Sequence, residues 1–203
     1  DVEPLADATQ TIQLKITDLP DQAQGWEMLD ALIISNVDTG TLSDSQKQSL
    51  EAWLADGGKL FVTGGVQWQS TAAGLDGLLP LQPTSTKKAG LAALSTYAMD
   101  GDSLSESEAT LSTGKLQART NVLVEQDGLP LLVEKEIGFG KVYYFAADPG
   151  VNPLNDWDGM RKIYEHLLAF KTPKPTWAYG VRDSYAAGSA LATLPELALP
   201  SFI

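Results

Sequence analysis

The sequence contains no cysteine and only one histidine among its 203 residues. The absence of cysteine excludes disulfide bonds, thiolate catalysis and cysteine-ligated metal sites. The histidine, His166, falls off the apolar stripe of a predicted helix and stands beside Glu165. Because neighbours in sequence do not face each other on a helix, we interpret His166 as a solvated surface residue and not as a catalytic base.

Basic residues are also few. The chain has 14 lysines and arginines against 26 aspartates and glutamates, which gives a formal net charge of −12. Such a surface repels phosphate backbones and anionic lipids, so nucleic-acid binding is not expected. No stretch approaches the roughly 20 apolar residues that a membrane-spanning helix needs. With 43% hydrophobic and 20% charged residues, the composition is that of a globular domain.

A strand, a helix and a second strand are predicted in the first third of the chain. Residues 31–35 form a near-continuous apolar run, as expected for a strand that is buried on both faces. Ser43 and Gln46 have the spacing of a capping box at the start of a helix, and the glycine pair at 57–58 ends that helix. A second apolar run, residues 60–63, follows directly. This order predicts a βαβ unit with two parallel strands.

Further strands are predicted towards both ends of the domain. Residues 11–16 alternate apolar and polar side chains, which is the period of a half-buried strand. Residues 122–124, 131–135 and 141–146 are separated by glycine-containing turns, which predicts an antiparallel meander. Residues 84–120 are rich in Ser, Thr, Ala and Gly and are interpreted as short edge strands and loops.

A last helix and a change of composition mark the predicted end of the domain. The helix begins near Asp156 or Asp158, and Pro residues at 173 and 175 then form a stiff linker. Its apolar stripe consists of Met160, Ile163, Tyr164, Leu167 and Leu168. We predict one domain over residues 1–172 and a Pro/Ala-rich tail or linker over residues 173–203. Because the chain opens without Met, we interpret it as a piece of a longer protein.

Residues 26–35, the capped helix and residues 57–65 together resemble a class I glutamine amidotransferase-like domain. In that family a strand ends in a nucleophile elbow of the form G-x-C-x-G. Residues 142–149 are similar to the family's strand before its catalytic F-H-P-E, and the resemblance extends over about residues 11–170. It implies an α/β fold, namely a flavodoxin-like three-layer sandwich with a mainly parallel sheet and an antiparallel meander at the C-terminal end.

The residues that carry catalysis in that family are missing from this chain. The elbow cysteine falls at or beside Gly64 and Gly65, and the histidine falls near Ala146 or Ala147. Glycine supplies no nucleophile and alanine supplies no base, so the resemblance implies the fold and excludes glutaminase activity. Such inactive relatives are found as extracytoplasmic parts of bacterial membrane proteins. We therefore expect an extracytoplasmic location in the cell envelope, with a cytoplasmic location as the alternative.

Ligands of open α/β sheets bind at the carboxyl ends of the strands. Three loops should meet there, over residues 36–40, 64–68 and 148–152. The predicted ligand-binding residues are Asn36, Asp38, Gly64, Gly65, Gln67, Trp68, Asp148 and Asn152. The glycine pair at 64–65 would leave its backbone N–H groups free to meet an anion or a carbonyl. The alternative is that the two glycines only turn the chain after a buried strand.

Two functions of different classes follow from these residues. The first is a non-catalytic binding or interaction module, which needs no cofactor and recognises another protein or a small molecule. The alternative is a carboxylate-based hydrolase or carbohydrate-active enzyme that uses Asp38 and Asp148. A structural spacer is a third interpretation. Asp and Asn side chains over residues 148–158 offer oxygen atoms for Ca²⁺, but their spacing is not that of an EF-hand loop, so no metal site is predicted.

Overall fold

The structure, a computed structural model, describes residues 11–101 and 103–168. These residues form seven strands and four α-helices. The strands are β1 (Ala31–Ile34), β2 (Lys59–Thr63), β3 (Leu81–Gly90), β4 (Glu108–Leu116), β5 (Thr120–Gln126), β6 (Leu129–Ile137) and β7 (Gly140–Phe145). The helices are α1 (Asp44–Ala55), α2 (Trp68–Ala72), α3 (Ala92–Tyr97) and α4 (Gly159–Leu168). The predicted boundary at residue 172 and the predicted tail, residues 173–203, lie outside the described residues.

The main sheet has five strands in the order β1-β2-β7-β6-β5. The pairs β1–β2 and β2–β7 are parallel, whereas β7–β6 and β6–β5 are antiparallel. The strands β3 and β4 form a separate two-stranded antiparallel sheet. The helix α1 connects β1 to β2, so the predicted strand, helix and strand are all present.

The predicted flavodoxin-like three-layer sandwich with a mainly parallel sheet is wrong. Three of the five strand pairings among the described residues are antiparallel, and the sheet is mixed. Two of these antiparallel pairings belong to the meander β5–β6–β7 in the main sheet. The third is the long hairpin β3–β4, most of which lies in residues 84–120, where short edge strands and loops were predicted. Residues 84–88 of β3 are all exposed, so the strand lacks the apolar alternation that reveals a half-buried strand in a sequence.

The strand predicted over residues 11–16 is also wrong. The chain has no regular structure over residues 11–15 and forms a 3₁₀ turn at Ile16–Asp18. The apolar side chains that suggested a buried face are largely solvated, since Ile12 is 61% and Leu14 is 41% exposed. The alternation of apolar and polar residues therefore predicted a strand here, but no strand among the described residues pairs with this segment.

The start of α1 holds the preceding segment in place. Ser43 Oγ accepts a hydrogen bond from the Gln46 backbone N–H at 3.2 Å, and Gln46 Oε1 accepts one from the Ser43 N–H at 3.0 Å. This is the predicted capping box. The buried Gln46 amide also donates to the Leu19 carbonyl at 2.8 Å. One side chain therefore caps the helix and ties the segment before β1 to it.

Aromatic side chains link the helices to the strands. Trp26 stacks on Trp53 of α1 with ring centroids 5.1 Å apart. Phe61 of β2 meets Tyr164 of α4 edge-on at 5.0 Å. The predicted apolar stripe of α4 is buried in full. Within the described ranges, no helix combines the length and the apolarity that crossing a membrane requires.

Replacing Gln46 should cost more stability than replacing the cap itself. Ser43→Ala removes one capping interaction and should lower the free energy of unfolding by about 1 kcal/mol. Gln46→Ala also leaves the Leu19 carbonyl without its amide donor, so its cost should be about 2–3 kcal/mol. Urea denaturation measures both values. The matched control, Gln48→Ala, changes an exposed residue of the same helix and should shift stability by less than about 0.5 kcal/mol. Equal losses for Ser43→Ala and Gln46→Ala would contradict the dual role of Gln46.

Candidate functional site

Three predicted site residues lie together at the carboxyl ends of the parallel strands β1, β2 and β7. Asn36, which follows β1, donates from Nδ2 to Asp148 Oδ2 at 2.8 Å, and Asp148 lies beyond β7. Gly65, after β2, lies against the same aspartate, because a Cβ at Gly65 would stand 2.8 Å from Asp148 Cβ. Burial, with a smaller effect of the Asp148 carboxylate, raises the pKa of Tyr164 above its ordinary value. This edge of the sheet is therefore closely packed.

The backbone N–H groups of the glycine pair are both hydrogen-bonded within the chain. The Gly64 N–H donates to the Phe145 carbonyl at 2.7 Å, and the Gly65 N–H donates to the Ala146 carbonyl at 2.8 Å. Both bonds extend the ladder between β2 and β7 beyond the assigned strands. Because each amide has a single N–H, neither glycine has a donor left for an anion.

The Ala146 carbonyl is a shared acceptor for two separate parts of the chain. Besides the Gly65 N–H, it accepts from the Ser112 N–H at 2.8 Å and from Ser112 Oγ at 2.9 Å. Ser112 Oγ also lies 2.7 Å from the Tyr144 hydroxyl. Burial raises the pKa of Tyr144 to about 12, so this hydroxyl keeps its proton at neutral pH. The hairpin strand β4 is thereby fixed to the end of the main sheet.

Gly64 has no room for a side chain. A Cβ there would stand 2.0 Å from Ser112 Oγ, 2.7 Å from the Tyr144 hydroxyl and 2.8 Å from the Ala146 carbonyl oxygen. These short distances leave no space for a Cβ, so close packing is sufficient to require glycine at position 64. A nucleophile cannot occupy this position, which explains why the elbow pattern fails here.

The two carboxylates considered for catalysis, those of Asp38 and Asp148, each accept a hydrogen bond within their own loop. Asp38 Oδ1 accepts from the Gly40 N–H at 3.0 Å, and Asp148 Oδ1 accepts from the Gly150 N–H at 2.8 Å. Such short-range bonds from Asp side chains are typical of turns. Among residues 11–101 and 103–168, no three His, Cys, Asp or Glu side chains come close enough to hold a metal ion.

The remaining predicted residues differ in their surroundings. Asn152 is exposed and precedes Pro153 through a cis peptide bond. Gln67 is also exposed, and its carbonyl accepts from the hydroxyls of Ser70 and Thr71 at 3.0 and 3.2 Å. Trp68 opens α2, is half-buried and packs against the hydrophobic core. Of the eight predicted residues, Trp68 is the one that lines a pocket.

The pocket beside Trp68 has a volume of about 250 Å³. Three parts of the chain enclose the pocket: α2 together with the turn after it, the start of β3, and the segment after β4. Apart from Trp68, its walls include Leu75, Asp76, Leu79, Gln82 and Gln117. Sequence reasoning missed Asp76, Gln82 and Gln117, because no motif joins three polar residues that the folded hairpin brings together from distant positions.

Trp68 differs from the other tryptophans that the structure describes. Trp26, Trp53 and Trp157 are buried, and their indole N–H groups donate hydrogen bonds at 2.8–3.0 Å. The indole side chain of Trp68 makes no hydrogen bond with any described residue. Within the described ranges, every buried side-chain nitrogen or oxygen has a hydrogen-bond partner. Because the indole N–H of Trp68 has no such partner, it is accessible to solvent.

Gly64→Ala should be among the most destabilising single-methyl changes in the chain. The added Cβ would overlap Ser112 Oγ and the Tyr144 hydroxyl, and we expect a loss of about 3 kcal/mol in the free energy of unfolding. Gly128→Ala is the control, because its φ of +75° is strained but no atom lies within 4 Å; it should cost about 1 kcal/mol.

Chemical denaturation of the Gly64→Ala variant, with and without Ser112→Ala, measures the packing contribution. Removing the Ser112 hydroxyl opens space at the closest contact, so Gly64→Ala should cost less in that background. A Gly64→Ala variant as stable as the parent protein would show that the turn at 64–65 is not closely packed.

Solved structures with a similar fold come from Salmonella. The chain is similar to the "Cytoplasmic Protein STM1381 from Salmonella typhimurium LT2", with 19% identity, a TM-score of 0.56 and coverage of 74% of this chain and 77% of that chain. A second, "Cytoplasmic Protein STM3548 from Salmonella typhimurium", has 14% identity, a TM-score of 0.55 and coverage of 75% and 76%. An exo-β-1,4-mannosidase from Opitutaceae bacterium strain TAV5 has a TM-score of 0.47 and is covered over 26% of its length, and that likeness carries no argument.

These comparisons correct two expectations. The expected membership of the class I glutamine amidotransferase-like family is wrong, since neither the family match nor these structures support it. The expected extracytoplasmic location is contradicted by the two Salmonella proteins, which are named as cytoplasmic. No curated protein matches the sequence. The family described as "Domain of unknown function (DUF7408)" matches residues 4–150. The chain therefore belongs to the DUF7408 family of domains.

Proposed function

We propose that this domain is a non-catalytic binding module and that its ligand site is the pocket beside Trp68. The observation that carries the proposal is the contrast among the tryptophans. Three described indoles are buried and hydrogen-bonded, whereas Trp68 offers an accessible N–H group and lines a pocket of about 250 Å³. Small-molecule sites are concave and place a few polar groups at defined positions around apolar surface, and this pocket combines an indole ring with polar side chains.

The residues of the pocket support binding and not bond cleavage. Among the residues that the structure describes, its lining includes one carboxylate, Asp76, and contains no Ser, Thr, Tyr, His, Lys or Arg side chain. A hydrolase of the carboxylate type needs a second acidic group across the cleft, as general acid or as base. Asp38 and Asp148, the candidates for such chemistry, accept hydrogen bonds within their own loops and do not line this pocket.

The Trp68 indole signal in a ¹H–¹⁵N NMR spectrum tests the proposal. Trp68→Phe assigns that signal by removing it and keeps an aromatic ring on the core. A library of neutral, anionic and cationic small molecules is added to the full 203-residue chain. We expect at least one compound to shift the Trp68 signal saturably and to be recovered chemically unchanged, because the pocket presents binding groups without a reactive pair.

The indole signals of Trp26, Trp53 and Trp157 serve as internal controls, because these side chains are buried away from solvent. They should stay in place when a ligand enters the pocket. The proposal is wrong if compounds that bind the chain leave Trp68 unmoved, or if a compound that moves Trp68 is converted to a product.

A further inference from the structure

The pocket beside Trp68 has two different kinds of wall. Trp68 is half-buried and supplies apolar surface to the pocket, whereas Leu75, Leu79 and Pro83 of the lining are buried. Leu75 and Leu79 belong to the hydrophobic core against which Trp68 packs, so the position of the indole ring is fixed by the fold. A ligand that rests on Trp68 must itself present an apolar face.

The polar groups of the pocket come from four places along the chain. Gln69 lies on α2, Asp76 in the turn before β3, Gln82 on β3 and Gln117 just after β4. The side chains of Gln69 and Asp76 make no hydrogen bond with any described residue. Gln117 Nε2 donates to Gln82 Oε1 across a long distance of 3.5 Å. These groups retain most of their hydrogen-bonding capacity for a ligand.

The chemistry of these groups favours an uncharged ligand with several hydroxyls. Each amide offers both donors and acceptors, which matches a hydroxyl group that is also both. No cationic side chain of the described part of the chain lines the pocket, and Lys135 donates to the Gly77 carbonyl at 2.8 Å. With Asp76 in the lining and a net charge of −12 on the chain, phosphates and carboxylates are disfavoured.

Size and shape narrow the class further. Pockets for drug-sized molecules have volumes of roughly 300–1,000 Å³, so a pocket of about 250 Å³ suits a smaller ligand. The four polar side chains stand on four different segments, and two of them, Gln82 and Gln117, are close enough to bond to each other. A flat heteroaromatic ring concentrates its hydrogen-bonding atoms in its plane. A pyranose ring has a C–H face that packs on an aromatic side chain, and its hydroxyls are distributed around the ring.

We infer that the pocket beside Trp68 binds a neutral monosaccharide in its pyranose form, an inference that rests on the proposed function. The sugar's C–H face lies against Trp68, and its hydroxyls bond to the amides of Gln82 and Gln117 and to Asp76. The accessible indole N–H donates to a ring or hydroxyl oxygen. No bond is made or broken in this event.

The experiment titrates the full chain with glucose, galactose, mannose and xylose, and follows the Trp68 indole signal. Glucuronate and glucosamine provide anionic and cationic sugars, and adenosine and uridine provide flat aromatic ligands. At least one neutral sugar should bind saturably, and glucuronate should bind at least tenfold more weakly. Gln82→Leu and Gln117→Leu should each weaken binding by up to about tenfold.

Gln48→Leu is the matched control, because Gln48 is exposed on α1 and outside the pocket; it should leave sugar affinity unchanged. The signals of the three buried tryptophans confirm that each variant is folded.

Three outcomes would contradict the inference. If sugars bind but Gln82→Leu and Gln117→Leu have no effect on sugar affinity, the inference is wrong. If other compounds shift the Trp68 indole signal while no neutral sugar does, the inference about sugars is wrong and the proposed binding function is retained. If no compound of any class moves Trp68, both fall.

Discussion

The arrangement of this domain depends on one buried acceptor, the Ala146 carbonyl at the end of β7. It receives the N–H of Gly65, the N–H of Ser112 and the Ser112 hydroxyl, all within 2.9 Å. Buried backbone groups left without partners are costly, so these three donors and their acceptor must stay together. The contact joins the main sheet, the turn after β2 and the hairpin β3–β4 at one place. Glycine at position 64 is what allows the segments to approach so closely.

That junction decides where a ligand can bind. In open α/β sheets the carboxyl ends of the strands form the usual ligand crevice. Here the chain's own Ser112 and Tyr144 pack against that edge, and the glycine N–H groups are already bonded. The same junction fixes the two elements that enclose the pocket, since α2 begins shortly after Gly65 and Gln117 follows β4. The contacts that fill the carboxyl edge of the sheet therefore also position the elements around the pocket. Trp68 lies on the segment that leads from the glycine turn into the pocket wall.

The sequence was most informative where local chemistry determines structure. The capping box of Ser43 and Gln46 located α1, and the glycines between β5, β6 and β7 located their turns. The stripe of α4 was visible because one full face of that helix is buried. In these cases the signal and the interaction that uses it lie within a few residues of each other.

Long-range pairing was not predictable in the same way. The hairpin β3–β4 is solvated over residues 84–88, so its residues carried no periodic signal. Gly64 and Gly65 were singled out correctly as unusual, but their partners, Phe145 and Ala146, lie 81 residues further along the chain. For that reason the sequence left open whether these N–H groups were free, whereas the structure has both of them bonded. Trp68 was predicted as a site residue, while Asp76, Gln82 and Gln117 became recognisable only through the cavity they share with it.

Amide hydrogen exchange of Gly64, Gly65 and Ser112 in the full chain tests the account most directly. All three N–H groups donate to carbonyls of β7 or of the residue that follows it. They should therefore exchange only through global unfolding, with a free energy equal to that measured by denaturant. Rapid exchange of Gly64 and Gly65, at rates typical of exposed turns, would show that the edge of the sheet is open and would contradict the placement of the ligand site beside Trp68.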